Sequence, residues 1–200
     1  MNIFQKAIED IHKIEDRAVF RSLKKMIGIP KMEISIHKCL FGYTLIRTDF
    51  NLVKAVELGK DADECYRNFI NRWGGVSQKV EERKDNNITD KVLQVINTGV
   101  YDPSVTVYLH GAGTYLQSKV WEVIKTIEAG DTLSYKDIAI KIGHPKTARA
   151  VGTACGANPI AIIVPCHRVV RSDGKDGGYR WGLEIKRKLL QREASTNNVI

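Results

Sequence analysis

The segment IIVPCHRVV places a thiol, an imidazole and a guanidinium in consecutive positions at Cys166, His167 and Arg168. The thiolate is the nucleophilic form of cysteine, and an adjacent imidazole or cation lowers the pKa of the thiol. The apolar residues 160–164 precede these three and predict a buried strand or extended segment. The pattern indicates a reactive cysteine, but it fits equally well a structural cysteine followed by a half-buried histidine and a surface arginine.

Polar features on both sides of the cysteine favour the reactive interpretation. Asn158-Pro159 forms a polar turn upstream that we expect to fold back on the cysteine loop. Downstream, the glycine-rich segment GKDGGYRWG carries Tyr179 and Trp181, which is typical of a flexible lid over a planar base. The segment KRKLLQREA predicts a final amphipathic helix. Its Glu193 has the chemistry to orient a histidine, or equally to form an ordinary surface ion pair.

The other three cysteines, Cys39, Cys65 and Cys155, are widely spaced and form no CxxC pair. Structural zinc usually requires such close pairs, and a disulfide framework requires an oxidising compartment. We therefore interpret these cysteines as small buried apolar residues.

The composition is compatible with a nucleic-acid partner, although many soluble proteins are basic without binding DNA. The 200 residues carry a net charge of +8 with a pI near 9.3, and a basic surface favours polyanions. No apolar run approaches the roughly 20 residues that cross a bilayer, so we expect no membrane association. The segment MNIFQKAIEDIHKIEDR lacks the apolar core of a secretory signal, and we expect the protein in the cytoplasm.

The first half of the chain predicts helices around a small sheet. Residues 3–27 have apolar side chains at intervals of three or four, which predicts one or two amphipathic helices before Pro30. Three segments rich in β-branched and aromatic residues predict an antiparallel sheet, namely MEISIHKCL, FGYTLIRTD and LVKAVELG. Helices are expected over 61–73 and 89–98, and a further strand over 104–109.

The second half is predominantly helical after a glycine-rich boundary at residues 111–113. A helix is expected over 117–129. Ser134 is the expected N-cap of a short helix that stops at Gly143, and Pro145 is expected to open the next helix. Two short helices joined by a tight turn predict a helix-turn-helix, although an ordinary αα-hairpin has the same pattern.

The second of these short helices has features suited to contact with DNA. It carries Lys146 and Arg149 near its start, where a recognition helix faces the bases. Small residues on the same helix, including Ala148, would allow close approach to a duplex or to another helix.

The chain resembles O6-alkylguanine-DNA alkyltransferases in six segments. In the order of that family these are GTYLQSKVW, SYKDIA, IGHPKTARAVG, NPIAIIVPCHRVV, GGYRWG and KRKLLQREA. The sequence PCHRV after an upstream Asn-Pro is highly specific to the family. The match is strong over 111–195 and only general over 32–110. Leu116 replaces the phenylalanine usual in the GTxFQ motif, a packing change that should leave the chemistry unaffected.

The detail RVVRSDGKDGGYRWG is most similar to the alkyltransferase half of the bacterial regulator Ada. Residues 1–30 are too short for that protein's zinc-bound cysteine cluster and AraC-like module, so we expect a stand-alone repair protein. Some relatives bind zinc through N-terminal Cys and His residues. Here His37, Cys39, Cys65 and His110 do not reproduce that pattern, and we predict no metal and no cofactor.

The resemblance implies an α+β fold in three parts. Residues 1–30 would form a helical extension, and residues 31–110 a small antiparallel sheet with helices, similar to ribonuclease H. Residues 111–200 would form a mostly helical domain that contains the helix-turn-helix, binds DNA and accepts the alkyl group. The expected assembly is a monomer.

The resemblance also implies a methylated-DNA–protein-cysteine S-methyltransferase that repairs DNA by direct reversal. Cys166 would accept alkyl groups irreversibly from O6-alkylguanine, and also from O4-methylthymine, in duplex DNA, so that each molecule acts once. His167, through a water molecule and backed by Glu193, would take the thiol proton, and Asn158 would hold the active-site turn. Tyr135 would protonate the leaving base and rotate a backbone phosphate.

The remaining implied roles concern DNA binding and the substrate pocket. Arg149 would fill the gap left by the flipped nucleotide. The other DNA contacts are assigned to Lys146, Ser134, Ala148 and Tyr135, and the pocket lining to Val169, Tyr179, Arg180 and Trp121.

Two other functions fit parts of the sequence. An alkyltransferase-like protein would recognise damaged bases without repairing them, but such relatives lack the reactive cysteine that PCHRV retains. An unrelated hydrolase could use the same thiol, imidazole and carboxylate, but it would have no need of a helix-turn-helix or of an arginine that fills a gap in DNA.

Overall fold

The computed structural model describes residues 32–49, 52–73, 87–109 and 111–197. The predicted helices of residues 3–27 lie outside these ranges. Within the described residues, no helix is both long enough and apolar enough to cross a bilayer. The architecture is mixed α/β, with a three-stranded antiparallel sheet and six helices in the described part of the chain.

The sheet has the strand order β1 (Met32–Cys39), β2 (Gly42–Asp49) and β3 (Leu52–Gly59), as the sequence predicted. The three strands are antiparallel, with Ile46 opposite Val56 in the centre of the β2–β3 pair. The turn after β1 requires glycine at position 42, where φ is +107° and a Cβ atom would lie 2.6 Å from the Gly59 carbonyl oxygen.

One face of the sheet is covered by α1 (Ala62–Trp73), whose predicted position is confirmed. The Asp61 carboxylate accepts a hydrogen bond from the Glu64 backbone N–H at 2.7 Å and so caps the helix. Cys65 and Phe69 are buried in a small cluster with apolar residues of the sheet. The second predicted helix is also confirmed, as α2 (Asn87–Thr98).

The predicted strand over 104–109 is wrong. Its contact with β3 is a single parallel bridge between Val107 and Val53, made by two backbone hydrogen bonds of 2.9 and 3.0 Å. A second single bridge joins Ile160 to Val56, three residues further along β3. Two segments therefore pair with the outer edge of β3, each at a single residue. Neither of them forms a continuous strand.

The second half of the chain contains four helices and a two-stranded parallel sheet. The helices are α3 (Tyr115–Lys125), α4 (Tyr135–Lys141), α5 (Ala148–Gly156) and α6 (Leu183–Asn197), and the strands are β4 (Leu133–Ser134) and β5 (Val169–Val170). Capping boxes begin α3 and α4, and the predicted cap at Ser134 is confirmed. The capping box at Thr114 also explains why α3 begins two residues before the predicted Gln117. The helix ends at Lys125 rather than at the predicted residue 129.

The turn between α4 and α5 differs from the prediction at one end. Gly143, at φ +79°, ends α4 as expected, because its N–H and that of His144 bond back to carbonyls of the last turn at 2.9 Å. Pro145, however, does not open the next helix. Thr147 bonds back to the His144 carbonyl through its N–H and its hydroxyl, so these residues form a separate turn and α5 begins at Ala148.

The largest hydrophobic core includes residues from both sides of the predicted boundary at 111–113. Val53 and Val56 of β3 belong to it together with Trp121 of α3 and Leu189 of α6. The indole Nε1–H of Trp121 donates to the Ala154 carbonyl at 2.9 Å and ties α3 to α5. The predicted domain limits at residues 30 and 110 stay predictions.

Trp121→Phe should lower the free energy of unfolding by about 1–3 kcal/mol, because it removes the buried hydrogen bond from the indole to the Ala154 carbonyl, which then keeps only the Ala157 N–H as a donor. The smaller ring adds a packing loss in the same direction. Urea unfolding followed by circular dichroism measures the change. Glu122→Ala, at an exposed position of the same helix, is the matched control. Equal stability of the two variants would contradict the assigned role of the indole.

Candidate active site

Cys166 begins a short 3₁₀ turn, Cys166–Arg168, which leads directly into β5. The predicted strand or extended segment over 160–164 is wrong, since only Ile160 pairs and residues 161–163 form a turn. Within that turn Ile162 has φ +66°, a conformation that β-branched residues rarely adopt. The backbone before the cysteine is therefore strained, and other contacts must hold it in place.

The fully buried Asn158 side chain supplies several of those contacts. Its Nδ2 group donates to the Val164 carbonyl at 2.8 Å and to the Cys166 Sγ atom at 3.1 Å. Its Oδ1 atom accepts from the Ile160 N–H at 2.9 Å. One amide thus ties both ends of the turn together and also touches the thiol.

A buried carboxylate on α6 holds the two residues after the cysteine. The Glu193 carboxylate lies 2.8 Å from His167 Nε2, and it accepts hydrogen bonds from Arg168 Nε at 3.0 Å and Arg168 Nη2 at 2.8 Å. Burial alone would raise the pKa of Glu193, but these hydrogen bonds outweigh it and bring the pKa to about 2. Arg168 therefore belongs to the site and is not an ordinary surface charge.

The ionised Glu193 fixes the protonation state of His167. An ionised carboxylate can only accept, so Nε2 carries the imidazole proton and Nδ1 is unprotonated. Burial lowers the pKa of His167, with partial opposition from Glu193, and this keeps the ring neutral. Nδ1 has no hydrogen-bond partner among the described residues. It is the one basic atom next to the thiol in sequence that is able to take a proton.

The Cys166 thiol is protonated at neutral pH. Burial raises its pKa to about 11, against the lowering effects of the Asn158 hydrogen bond and the Lys186 charge. Lys186 was not predicted. Its buried Nζ group donates to the Val169 carbonyl at 2.6 Å and also to the Asp176 carbonyl. It lies seven residues before Glu193, two turns along the same helix face, and this spacing could have identified it.

The thiol faces a pocket of about 360 Å³, a volume typical of small-molecule sites. The lining residues come from the cysteine turn, the start of α4, the end of α5 and the glycine-rich segment: Tyr135, Gly152, Cys155, Gly156, Cys166, Gly178, Tyr179 and Arg180. The structure thus brings three predicted residues, Tyr135, Tyr179 and Arg180, to the cysteine.

Tyr135 is packed between α5 and the glycine-rich segment. A Cβ atom on Gly177, whose φ is +63°, would lie 2.7 Å from the Tyr135 hydroxyl, so only glycine fits there. A Cβ atom on Gly152 would lie 3.7 Å from the same ring. Burial raises the pKa of Tyr135, with smaller contributions from the neighbouring thiols. The phenol is therefore protonated and able to donate.

Aromatic contacts connect the imidazole to the glycine-rich segment. Tyr179 meets the His167 ring edge-on at 6.3 Å between centroids and the Trp181 ring at 5.2 Å. Burial raises the pKa of Tyr179 well above its usual value, so this phenol is also neutral. The segment lies against the site through these rings.

Other predicted residues lie away from the pocket. Arg149 and Lys146 are exposed, on and just before α5, and Ala148 is half-buried at the start of that helix. The Ser134 hydroxyl is engaged with Asp137 in the capping box. Neither Val169 nor Trp121 is among the residues that line the pocket. Both are buried, Val169 beside Lys186 and Trp121 in the core.

Among the described residues, which exclude His110, no group of three or more His, Cys, Asp or Glu side chains could hold a metal ion. The absence of a metal remains a prediction.

Sequence comparison matches residues 115–195 to the 6-O-methylguanine DNA methyltransferase, DNA binding domain, family. The bifunctional transcriptional activator/DNA repair enzyme Ada of Escherichia coli is 53% identical over 93 residues, which are 46% of this chain and 26% of Ada. A methylated-DNA–protein-cysteine methyltransferase of Kluyveromyces lactis is 45% identical over 101 residues, 50% of this chain and 53% of that protein. The chain therefore spans about a quarter to a half of the length of these curated relatives.

Structural comparison extends the similarity to most of the chain. The crystal structure of Mycobacterium tuberculosis O6-methylguanine methyltransferase is 31% identical with a TM-score of 0.62, and the match covers 82% of this chain and 93% of that one. A structure of the Mycobacterium tuberculosis protein in complex with DNA matches over the same shares, at 29% identity and a TM-score of 0.59.

Glu193→Gln should destabilise the protein at neutral pH and progressively less as the pH falls. The folded pKa of about 2 lies below the ordinary value of 4.5, so the carboxylate's stabilising contribution is complete above pH 4.5 and is lost as the pH falls towards 2. Urea unfolding of both proteins between pH 7 and pH 3 measures this difference.

Glu184→Gln, at an exposed position of the same helix, is the control and should change stability little at any pH. A Glu193→Gln effect that stays constant between pH 7 and pH 3 would show that the carboxylate is not held ionised.

Proposed function

The chain belongs to the O6-methylguanine-DNA methyltransferase family, and we propose that it repairs duplex DNA by transferring alkyl groups from O6 of guanine to Cys166. The observation that carries this proposal is a buried thiol that lines a pocket beside the His167–Glu193 pair. The names of the curated relatives and the DNA complex of the Mycobacterium tuberculosis protein support it.

In the proposed reaction the thiol proton passes to His167 Nδ1 through a bridging water molecule. Cys166 Sγ then attacks the alkyl carbon, so that a sulfur–carbon bond forms as the bond between that carbon and O6 breaks. Glu193 stabilises the imidazolium that results, because its carboxylate already accepts from Nε2. Asn158 holds the sulfur in line through its 3.1 Å contact.

Tyr135 is the proposed acid for the leaving group. The base leaves with the electron pair of the broken bond, and the Tyr135 hydroxyl supplies the proton that makes it neutral guanine. The raised pKa of Tyr135 keeps that proton in place until the oxygen becomes basic. The proton held on His167 restores the phenol by way of solvent, so protons balance over the reaction.

The product is a thioether, and none of the groups assigned above cleaves its sulfur–carbon bond. Each molecule therefore acts once, as a stoichiometric reagent. We propose that the same pocket accepts O4-methylthymine, whose alkylated oxygen also lies on the ring edge.

We propose that α4 and α5 act as a helix-turn-helix, with α5 in a DNA groove. The N-cap residue Thr147 makes no side-chain hydrogen bond to the first turn of α5, so the N–H groups there can meet a phosphate. Lys146, Ser134, Ala148 and Tyr135 would contact the duplex in this arrangement. Arg149 is exposed on α5 and would fill the space of the nucleotide that flips into the pocket.

Several broader assignments belong to the same proposal. The sheet and the helices of residues 32–109 would form a ribonuclease H-like domain, and residues 111–200 the domain that binds DNA and accepts the alkyl group. Val169, Tyr179, Arg180 and Trp121 would shape the base pocket, two of them from behind its lining. The protein would act as a monomer in the cytoplasm, without a metal or cofactor.

Wild-type protein incubated with a duplex that carries labelled O6-methylguanine should retain the label on the Cys166 peptide, at no more than one methyl group per molecule. Cys166→Ala should bind the same duplex and transfer nothing, because the only proposed acceptor is gone. Cys39→Ser is the control thiol and should transfer normally. Binding without transfer by the wild type would favour a recognition protein, and repeated turnover on an ester would favour a hydrolase.

Arg149→Ala should slow transfer from duplex DNA by roughly tenfold, equivalent to about 1.4 kcal/mol, because nothing then compensates for the extruded nucleotide. Reaction with the free base O6-methylguanine should be unchanged, since the pocket is intact. Single-turnover rates with both substrates test this. Lys188→Ala, which removes an exposed charge from α6, is the matched control, and an equal loss in both variants would point to general electrostatics instead.

A further inference from the structure

The outer edge of β3 contacts the active-site turn directly. The Val56 N–H donates to the Pro159 carbonyl at 3.0 Å, and the Val56 carbonyl accepts from the Ala161 N–H at 2.9 Å. These bonds hold the turn on both sides of Ile160, just before Ile162, where the backbone is strained. The next residue of β3, Glu57, is therefore placed beside the pocket although it belongs to the first half of the chain.

Glu57 is fully buried and contacts the glycine-rich segment. Its Oε2 atom accepts a hydrogen bond from Trp181 Nε1 at 3.0 Å and lies 3.6 Å from Arg180 Nε. Arg180 lines the pocket, and Trp181 packs against Tyr179, which also lines it. One carboxylate oxygen thus contacts both Arg180, which lines the pocket, and Trp181, which packs against the lining residue Tyr179.

The other oxygen of Glu57 faces an arginine that contacts a second part of the pocket lining. Oε1 lies 3.6 Å from Arg72 Nε on α1. The Arg72 guanidinium donates in turn to the carbonyls of Ala157 at 2.9 Å and Gly156 at 3.4 Å. Gly156 lines the pocket at the end of α5, and Ala157 directly precedes Asn158. The carboxylate therefore lies between the two cations that reach the two walls.

We propose that Glu57 is a positioning residue for alkyl transfer, which sets the distance between two walls of the pocket, the segments Arg180–Trp181 and Gly156–Asn158, which contribute Arg180 and Gly156 to its lining. This inference rests on the proposed function, because it concerns the geometry in which the alkyl carbon meets Cys166. Glu57 itself does not touch the reacting atoms and acts through Trp181, Arg180 and Arg72.

A carboxylate is costly at this position, which argues for a specific role. Burial raises the pKa of Glu57, with Arg180 and the Trp181 hydrogen bond as the opposing effects. A neutral residue of similar size would fill the same volume without the cost of burying a charge. Only an anion, however, attracts a guanidinium from each side while it also accepts from an indole.

Glu57→Gln tests the proposal because it keeps the size of the side chain and removes the charge. Saturation kinetics with a duplex that contains O6-methylguanine should show a first-order transfer rate constant lowered by about tenfold or more, as expected when a reacting group is misplaced. The dissociation constant for undamaged duplex should stay within about twofold, because α5 and its exposed cations are unaltered. The indole ¹⁵N–¹H resonance of Trp181 should shift.

Val53→Ala is the matched control, since it weakens the buried core on the same strand without touching either wall. It should transfer at the wild-type rate and leave the Trp181 resonance in place. The Glu57→Gln, Trp181→Phe double variant should transfer no more slowly than the slower single variant, because both substitutions interrupt one path. Wild-type transfer by Glu57→Gln, or an equal loss in Val53→Ala, would overturn the proposal.

If Glu57→Gln does not fold, Trp181→Phe and Arg180→Gln test the same contacts from the side of the glycine-rich segment. Normal transfer by both of these variants would overturn the proposal. Failure of the proposed function is recognised separately, as the absence of methyl transfer to Cys166 in the wild type. In that case the Trp181 resonance still decides whether Glu57 holds the wall, since it needs no substrate.

Discussion

A buried thiol must lose its proton inside the protein, and much of the site follows from this constraint. Burial raises the pKa of Cys166 to about 11, so a standing thiolate population is negligible at neutral pH. A proton acceptor must therefore stand close to the sulfur. In the proposed reaction His167 is that acceptor, because Glu193 accepts a hydrogen bond from Nε2–H and leaves Nδ1 without a proton. Arg168 and His167 together keep Glu193 ionised at a pKa of about 2, so the acceptor is ready before any substrate arrives.

The placement of that thiol depends on backbone that is unfavourable by itself. Ile162 has a positive φ, and the turn formed by residues 161–163 belongs to no strand or helix. Asn158 closes the turn from inside, and Val56 holds it from the edge of β3. The turn is therefore held by one residue that is close to it in sequence, Asn158, and by one that lies about a hundred residues away, Val56. The first half of the chain therefore helps to hold the cysteine turn, although the residues proposed to carry out the reaction lie in the second half.

The sequence predicted well what is encoded locally. Cys166, His167 and Asn158 lie within nine positions of one another, and capping at Ser134 is a pattern of four residues. The predicted strand over 160–164 failed because an apolar run shows burial but not backbone conformation. Glu57 could not be found in this way, since its partner Trp181 lies 124 positions away and only the fold joins them. A contact between residues so far apart produces no periodic pattern or short spacing in the sequence from which it could be predicted.

The proposed DNA-binding helices also build the pocket, and this has a mechanical consequence. Tyr135 is the first residue of α4, and Gly152 of α5 packs against its ring, so part of the pocket lining belongs to the same helix pair that would dock on DNA. In the proposed arrangement, a base that enters the pocket comes from a duplex that is bound to the same two helices. Gly177 limits the opposite side by admitting no side chain next to the phenol. Under the proposed function, one helix pair would therefore contribute both to DNA contact and to the pocket, and helix packing would hold Tyr135 in place before the base arrives.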